Sequence, residues 1–266
     1  MFCSYRITDA ARGFLFLWMF IGPTIFFRAA PFGRFAPSSD KGTLDGNTAW
    51  MIMESVGPLV CLGLYLSHPL SNAVPPLFSP ATLLLGLYFV HYANRALISP
   101  LRTPVRSRAS VDVPIAACVF NSLNGSLMGS YLSSTISPDL WLRNLLFWPG
   151  VALFCIGLAG NIWHDEILLQ IRRQMALGPD GKPHYAIPYG WMYHWVSYPN
   201  YLCEWFEWLG FAVAACPQPN SLAAPWLFLI AEVAVMLPRA VTGHQWYHRR
   251  FKDYPKKRKA IIPFIL

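Results

Sequence analysis

The sequence predicts an all-α polytopic membrane protein, a bundle of seven transmembrane helices with a cytosolic C-terminus. The first observation behind this is composition: 55% of the 266 residues are hydrophobic and only 13% are charged, whereas about a quarter are charged in a soluble domain. The second is that apolar runs long enough to cross a hydrocarbon layer of about 30 Å recur along the whole chain. The third is an uneven distribution of basic residues between the segments that join these runs.

Turn-rich breaks separate the apolar runs. Pro31 to Asn47, Ser67 to Pro80 and Pro217 to Asn220 are such breaks, because Pro, Gly, Ser and Asn favour turns. The sequence contains no long soluble insert, internal repeat or low-complexity tract, so a single domain is expected over residues 1–266. The predicted spans are residues 13–29, 50–67, 79–98, 111–133, 144–161, 201–217 and 222–240.

The positive charges predict the orientation of the bundle. If the C-terminus is cytosolic, seven spans place the N-terminus outside, and 18 of the 21 Lys and Arg residues then fall in cytosolic segments. Such an excess on the cytosolic side is the rule for helical membrane proteins. The net charge of +8 is therefore explained by topology and by contact with membrane lipid headgroups, and no nucleic-acid partner is predicted.

Four carboxylates lie within the predicted spans: Glu54, Glu204, Glu207 and Glu232. An ionisable group in a bilayer is costly, so each of them is a candidate for function, Glu54 and Glu204 above all. The alternative is a structural carboxylate that is hydrogen-bonded between helices, or, for Glu232, one that pairs with a basic neighbour. At the end of the third span, His91 fits an interfacial aromatic belt.

Neither the six cysteines nor the seven histidines form a recognisable metal or disulfide pattern. The cysteines are expected to be buried as small hydrophobic residues. His244 and His248 have the i, i+4 spacing of metal ligands, but the other histidines do not form the clusters of histidine-box oxygenases, so no metal is predicted. Because no GxGxxG motif follows a strand-like run, a dinucleotide would have to be held by the helix bundle and its loops.

A set of polar and aromatic motifs accompanies the spans. It comprises Trp50 with Glu54, His91-Tyr92-x-x-Arg95, Asn161 to Asp165, Tyr185 to Pro188, Pro199-Asn200-Tyr201-Leu202-x-Glu204, and the ending from His244-x-Trp246-Tyr247 to Phe264. This combination resembles the steroid 5α-reductase family. The resemblance covers the C-terminal part, about 145–266, as an NADPH-binding half, and the upstream motifs extend it to the steroid-reducing branch.

The resemblance implies a reductase of the endoplasmic reticulum membrane that takes NADPH from the cytosol and a 3-oxo-Δ4 steroid from the bilayer. Glu54 and Tyr92 would hydrogen-bond the C3 carbonyl oxygen, on which negative charge develops when hydride is added at C5. Glu54 can donate only in its protonated form, which burial among apolar groups favours. Trp50, Met53 and Arg95 are expected to contact the substrate.

The same resemblance implies which residues bind the cofactor. Carboxylate and amide side chains suit the carboxamide and ribose hydroxyls, whereas Arg172 and Arg239 suit phosphates because a guanidinium binds them bidentately. The 2′-phosphate makes NADPH the expected cofactor rather than NADH. The predicted cofactor residues are Asn161, Asp165, Arg172, Tyr185, Asn200, Glu204, Arg239, His244 and Tyr247.

Two departures from the family pattern concern the substrate end: Met53 stands where many steroid-reducing relatives have Gln, and Gly243 stands in a region often richer in His. Other functions therefore stay open. The chain could reduce another conjugated lipid, a trans-2-enoyl-CoA or a polyprenal, or it could be a membrane methyltransferase of the isoprenylcysteine type or a non-catalytic scaffold. Glu54 with Tyr92 favours the steroid, and Asn200 with Glu204 argues against the scaffold. A monomer is expected.

Overall fold

The computed structural model describes residues 41–104, 106–174, 185–216 and 223–266, together with a few helical residues between 9 and 19. Helices account for most of this part of the chain. A π-helical segment (Ala93–Ile98) joins α2 to α3, and β1 (Thr43–Leu44) pairs antiparallel with β2 (Ala109–Ser110). The α-helices are α1 (Gly46–Ser67), α2 (Pro80–Tyr92), α3 (Ser99–Arg102), α4 (Asp112–Ser134), α5 (Leu140–Arg143), α6 (Phe147–Gln174), α7 (Pro199–Ala215) and α8 (Ala224–Arg250).

Helix α1 carries Glu54, and its ends are well defined. Asp45 caps the N-terminus, because its Oδ1 accepts from the backbone N–H of Thr48 at 2.8 Å. At the other end His68 adopts a left-handed conformation with φ 37°. Pro58 lies inside the helix and has no N–H to donate to the carbonyl of Glu54, so the helix is locally weakened at the turn that carries this carboxylate.

Glycines let two pairs of helices approach until their backbones touch. A Cβ added to Gly125 of α4 would lie 2.4 Å from the carbonyl oxygen of Gly57 in α1. A Cβ added to Gly157 of α6 would lie 2.3 Å from the backbone nitrogen of Glu207 in α7. Small residues at helix contacts are typical of membrane bundles. The α6–α7 contact brings the polar side chains of the two helices within hydrogen-bonding distance.

The aromatic core of the described bundle lies where α2, α6, α7 and α8 meet. Trp208 is 1% exposed, and its ring contacts Tyr88, Phe154, Phe211 and Phe228 edge-on or tilted, with centroids 4.6 to 6.1 Å apart. Such arrangements are the favoured geometry for aromatic pairs. This core fixes α7 against α2, and both helices carry polar residues of the candidate site.

The protein is a mostly helical membrane protein. Among the described helices, α1, α6 and α8 are long and apolar enough to cross a membrane. Large apolar side chains such as Leu59 and Ile156 project from the bundle with 66% and 69% exposure, as expected of lipid-facing positions. The seven-helix count and the cytosolic C-terminus stay predictions, and most of the predicted span 13–29 lies outside the described residues.

The other six predicted spans are helical, but two of them end later than predicted. The fifth span does not end at residue 161, because α6 continues without interruption to Gln174 and carries the polar segment from Asn161 onward. The last span likewise continues from residue 240 to Arg250. The third begins as α2 and passes into the π-helical segment at Ala93. The expected burial of the cysteines holds for Cys61 and Cys203 but is wrong for Cys155, which is exposed.

The C-terminal tail returns to the loop before α7. Val196 and Lys259 form a parallel bridge, and the backbone N–H groups of Ser197 and Tyr198 donate to the carbonyls of Lys259 and Ala260 at 2.9 and 3.0 Å. The tail thereby holds the loop that leads into Asn200 and Glu204 of α7.

Candidate active site

A polar network joins three helical elements inside the bundle, with Arg95 at its centre. Nε of Arg95 donates to Oε1 of Glu54 at 3.2 Å, and Nη1 lies 3.1 Å from Oε1 of Glu204. The side chains of Glu54 and Glu204 are 9% and 3% exposed, whereas that of Arg95 is 24% exposed. One guanidinium is thus the countercharge for two buried carboxylates, one from α1 and one from α7.

This countercharge corrects part of the sequence analysis. An acidic side chain alone among apolar groups is expected to take up a proton, and that was the basis for expecting a protonated Glu54. The sequence could not show that Arg95, 41 residues further along the chain, lies beside it. Glu54 is ion-paired in this structure instead of being isolated.

Trp50 supports the π-helical segment that carries Arg95. Its Nε1 donates to the backbone carbonyl of Arg95 at 3.1 Å. The guanidinium carbons of Arg95 and Arg106 lie 5.2 and 4.3 Å from the centroid of the Trp50 ring, which is within cation–π distance. π-Helical segments are frequent at functional sites. Trp50, predicted as a substrate contact, is therefore also a support for two arginines.

The predicted cofactor residues of α6 and α7 continue the network away from Arg95. Nδ2 of Asn161 donates to Oε2 of Glu204 at 3.2 Å and to the backbone carbonyl of Asn200 at 3.1 Å. Nδ2 of Asn200 in turn donates to Oδ1 of Asp165 at 2.9 Å. Four residues predicted to bind the cofactor are thus brought together, and Arg95 connects them to Glu54.

One buried atom in this group fits a ligand that carries an N–H or O–H donor. Oδ1 of Asn200 is buried and, within the described part of the chain, has no hydrogen-bond partner. A buried acceptor without a partner is unfavourable unless a bound molecule or water supplies the donor. Beside Glu204 and Asp165, this oxygen is suited to the carboxamide or the ribose hydroxyls of a dinucleotide.

Tyr92 ends α2 and lies against α1. It is 4% exposed, and its ring contacts the ring of Tyr88 with centroids 4.7 Å apart. A Cβ added to Gly57 would lie 3.6 Å from the Tyr92 hydroxyl, which therefore reaches α1 three residues after Glu54. The structure brings together the two residues that were predicted to act on the same oxygen atom.

His91 and Glu207 form a buried pair beside Tyr92. Nδ1 of His91 lies 2.7 Å from Oε1 of Glu207, and the two side chains are 4% and 0% exposed. The interfacial aromatic belt expected for His91 is therefore wrong, since its ring faces α7 and packs against Trp208 with centroids 4.7 Å apart. Glu207 Oε2 is buried and accepts no hydrogen bond from any described residue. The sequence offers no signal for a pair separated by 116 positions.

Arg106, on the loop after α3, is a candidate that the sequence analysis missed. Its Nε donates to Oδ1 of Asn47 at 3.3 Å. Burial and, next, the positive charge of Arg172 lower the pKa of Arg106 to about 10. Arg172 is half-buried near the end of α6. Two partly buried guanidinium groups that repel each other are suited to bind a phosphate, whose negative charge relieves the repulsion.

His244 and Tyr247 belong to a second polar group, the Ser197 cluster, which comprises Ser197, His244, Tyr247, Tyr254 and Arg258. Oγ of Ser197 lies 2.6 Å from Nδ1 of His244 and 2.6 Å from the hydroxyl of Tyr254. Tyr247 stacks on Tyr254 with ring centroids 5.2 Å apart. Because Ser197 is three residues before Asn200, the cluster adjoins the start of α7 and hence the cofactor residues there.

The remaining predicted residues lie beside these two groups. Tyr185 contacts Trp246 of α8 with ring centroids 5.2 Å apart. Arg239 is half-buried on α8, five residues before His244. Met53 is buried on α1, and its carbonyl accepts from Nδ2 of Asn121 in α4 at 2.6 Å. Met53 is therefore buried on the same helix as Glu54, whereas Tyr185 lies against the C-terminal helix α8.

Ion-paired carboxylates enclosed by apolar helices place this chain among the membrane proteins that have a polar functional site inside the helix bundle. The comparison with known proteins identifies the family. The chain belongs to the 3-oxo-5-alpha-steroid 4-dehydrogenase family, whose sequence model matches residues 107–266. It is an oxidoreductase.

Relatives from distant organisms align over most of the chain. An uncharacterized protein of Schizosaccharomyces pombe is 36% identical, with 92% of this chain and 94% of that protein aligned. The steroid 5-alpha-reductase of Solanum lycopersicum is 35% identical, with 90% and 89% aligned. The 3-oxo-5-alpha-steroid 4-dehydrogenase 2 of Homo sapiens is 35% identical, with 84% and 82% aligned. The predicted resemblance to the family is confirmed.

Proposed function

We propose that this chain reduces the 4,5 double bond of 3-oxo-Δ4 steroids with NADPH and forms 5α-3-oxosteroids. The names of its relatives support the reaction. The observation that carries the proposal is the Arg95 network, because it connects Glu54, at the expected substrate end, with Glu204 and Asn161, at the expected cofactor end. When bound, NADPH supplies the hydride that is added at C5, and a proton is added at C4.

Tyr92 and Glu54 act on the C3 carbonyl oxygen of the steroid. Hydride addition at the far carbon of the enone makes that oxygen an enolate, and a fixed donor lowers the energy of the charge that develops. The buried hydroxyl of Tyr92 can donate without any change of charge. Glu54 is already paired with Arg95 at 3.2 Å, so Tyr92 is the stronger of the two donors. Trp50, Met53 and Arg95 complete the substrate end.

The cofactor end uses two kinds of side chain. Asn161, Asp165, Asn200 and Glu204 offer amide and carboxylate groups to the carboxamide and ribose hydroxyls. Arginines are suited to the phosphates. We add Arg106 to Arg172 and Arg239, the two arginines predicted from the sequence. The full set for the phosphate and adenosine part is Arg106, Arg172, Tyr185, Arg239, His244 and Tyr247.

The membrane arrangement is part of the proposal. The steroid enters from the bilayer, and the dinucleotide enters from the cytosol, where the basic C-terminal tail lies. The compartment is the endoplasmic reticulum, and the protein acts as a monomer in contact with membrane lipids. The charge distribution between the predicted spans supports this orientation.

One assay tests the proposed function against its alternatives. Purified protein in detergent is incubated with NADPH and, separately, with progesterone, testosterone, a trans-2-enoyl-CoA and a polyprenal, while NADPH oxidation and products are followed. We expect oxidation with the two 3-oxo-Δ4 steroids and formation of the 5α products. Turnover of only the enoyl-CoA or only the polyprenal would replace the steroid as substrate, and transfer of a methyl group without NADPH oxidation would overturn the assignment as a reductase.

A further inference from the structure

Arg95 has more donors than the two carboxylates use. A guanidinium has five N–H groups. Nε is directed to Glu54 and Nη1 to Glu204, while Nη2 makes no hydrogen bond within the described part of the chain. The Arg95 side chain is also the most exposed of the three, at 24% against 9% and 3%. Space and a spare donor are therefore both next to Arg95.

The backbone and the side chain of Arg95 are held by different groups. Trp50 Nε1 donates to the Arg95 carbonyl oxygen at 3.1 Å within the π-helical segment, whereas the guanidinium contacts Glu54 and Glu204 at the same time. A ligand that acts on one of these carboxylates therefore also acts, through the guanidinium, on the other. A ligand that donates a hydrogen bond to Glu204 can replace the hydrogen bond that Arg95 donates there. The guanidinium is then available to Glu54 and to a ligand beside it.

We propose that Arg95 is a positioning residue that couples the two ends of the site, so that the dinucleotide bound at Glu204 and the steroid bound at Glu54 and Tyr92 each strengthen the binding of the other. This inference rests on the proposed function. Coupling of this kind is reciprocal, because a ligand that changes the affinity of a second ligand by some factor has its own affinity changed by the same factor. The first ligand orders the Arg95 side chain, so the second ligand binds without that entropy cost and its affinity is higher.

The test uses a pair of ligands that bind but do not react, NADP⁺ and progesterone. The dissociation constant of NADP⁺ is measured by calorimetry without and with saturating progesterone, and then that of progesterone without and with NADP⁺. In the wild type we expect the same ratio in both directions, about 5-fold to 150-fold. In Arg95→Met the ratio should fall to about one, because the thioether donates to neither carboxylate, and in Arg95→Lys it should fall less, because an ammonium group has donors for both carboxylates but not the planar guanidinium geometry.

Arg102→Met is the matched control. Arg102 is seven residues further along the chain and pairs with Glu166 at 2.7 Å, away from Glu54 and Glu204. It should keep the wild-type ratio. If Arg95 had only a structural role, its variants would bind both ligands more weakly but would keep the wild-type ratio of dissociation constants, and that result overturns the inference. A ratio of about one in the wild type overturns it too.

A second variant covers the case in which neither Arg95 variant folds. Glu54→Gln removes the ion pair from the other partner, and its ratio should also fall to about one. A wild-type ratio in Glu54→Gln contradicts the coupling. Failure of the wild type to bind NADP⁺ or progesterone is a different outcome, since it refutes the proposed function itself.

Discussion

Around Arg95 the carboxylates outnumber the cations, whereas in the Ser197 cluster the cations outnumber the carboxylates. Glu54, Glu204 and Glu232 all interact electrostatically with the one guanidinium of Arg95. In the Ser197 cluster the charged side chain is that of Arg258, and Lys259 follows it in the chain. Arg258 is 2% exposed, lies over the ring of Tyr254 at 4.9 Å and forms no ion pair among the described residues.

The difference fits the two ligands proposed for this chain, whose groups differ in charge. Near Arg95, the guanidinium is already paired with Glu54 and Glu204 and negative charge is in excess, so a neutral group such as an enone or a carboxamide suits this region better than an anion. Near Ser197, aromatic rings and Arg258, which has no ion pair among the described residues, are suited to an anionic, aromatic group such as the adenosine phosphate part of a dinucleotide. The polar regions therefore match the two ends of the reaction proposed for this chain.

The largest effect is expected from Glu54→Gln at the Arg95 end. The substitution removes the negative charge that Arg95 contacts and a group assigned to the C3 carbonyl oxygen. We expect kcat/KM for progesterone to fall by about 10²-fold to 10³-fold, the usual loss for one group that stabilises an oxyanion. Without steroid, the dissociation constant of NADP⁺ should change by no more than about twofold. Steady-state kinetics and calorimetry provide the two measurements.

Asp139→Asn is the control for Glu54→Gln, because it makes the same chemical change on an exposed carboxylate that pairs with Arg143. It should leave kcat/KM at the wild-type value. If Glu54→Gln lowered the affinity for NADP⁺ by as large a factor as it lowered kcat/KM, Glu54 would belong to the cofactor end. The two polar regions would then not be separate in function.

The next largest effect concerns the phosphate end, where Arg172→Ala removes one of two facing guanidinium groups. A hydrogen bond to a charged group contributes about 1.5–3 kcal/mol, so the dissociation constant of NADP⁺ should rise by about 10-fold to 100-fold. The limiting kcat at saturating NADPH should change little, because Arg172 does not contact the reacting atoms. Calorimetric titration with NADP⁺ and with NAD⁺ separates the contribution of the 2′-phosphate.

Arg173→Ala is matched to Arg172→Ala in chemistry and position. Arg173 is exposed and pairs with Glu166 at 3.3 Å rather than facing Arg106. Its removal should leave the affinity for NADP⁺ unchanged within error. Equal losses for the two variants would mean that only the general positive charge of this face attracts the dinucleotide, and Arg172 would then be removed from the site.

A smaller effect, on stability, comes from the buried pair next to the Arg95 network. Glu207→Leu leaves Nδ1 of His91, whose side chain is 4% exposed, without its partner at 2.7 Å. An unsatisfied buried polar group costs about 1–3 kcal/mol, and the free energy of unfolding in detergent should fall by that amount. The double variant His91→Leu with Glu207→Leu removes both polar groups and should recover part of the loss; further destabilisation would show that the pair is not the cause.

The sequence predicted the fold better than the contacts within it. Apolar runs identify spans because their length has to match the bilayer, and six of the predicted runs are helices in the structure. The end of α6 was missed because Asn161 to Asp165 are polar and look like the end of an apolar run. In the structure, Asn161 bonds to Glu204 and Asp165 accepts from Asn200, so both polar side chains have partners inside the bundle.

For the candidate site, local motifs predicted residues that the structure places in the polar network, but they did not predict the partners of these residues, and ligand binding by them stays a prediction. Each predicted residue belongs to a local motif, such as Pro199 to Glu204, which a sequence displays directly. The ion pairs of Arg95 join positions separated by 41 and 109 residues, and they depend on which helices pack together. The buried state of His91 depends in the same way on α7. Predicting them from the sequence would have required the arrangement of the helices in space.

The smallest effect is expected at a carboxylate outside both polar regions, the N-cap Asp45. Hydrogen bonds from the backbone and the hydroxyl of Thr48 lower the pKa of Asp45 below its usual value. Asp45→Ala should therefore reduce the free energy of unfolding by about 0.5–1 kcal/mol at neutral pH, as for an exposed helix cap. Because the folded pKa is the lower one, this contribution is present above the unfolded pKa and is lost as the pH falls through the folded pKa.

Urea unfolding in detergent at pH 7 and at pH 3 measures this dependence. The difference between the wild type and Asp45→Ala should be smaller at pH 3. Asp45→Asn, which can still accept from Thr48 but does not titrate, should differ from Asp45→Ala by the same amount at both pH values. A pH-dependent difference between Asn and Ala would assign the effect to other groups.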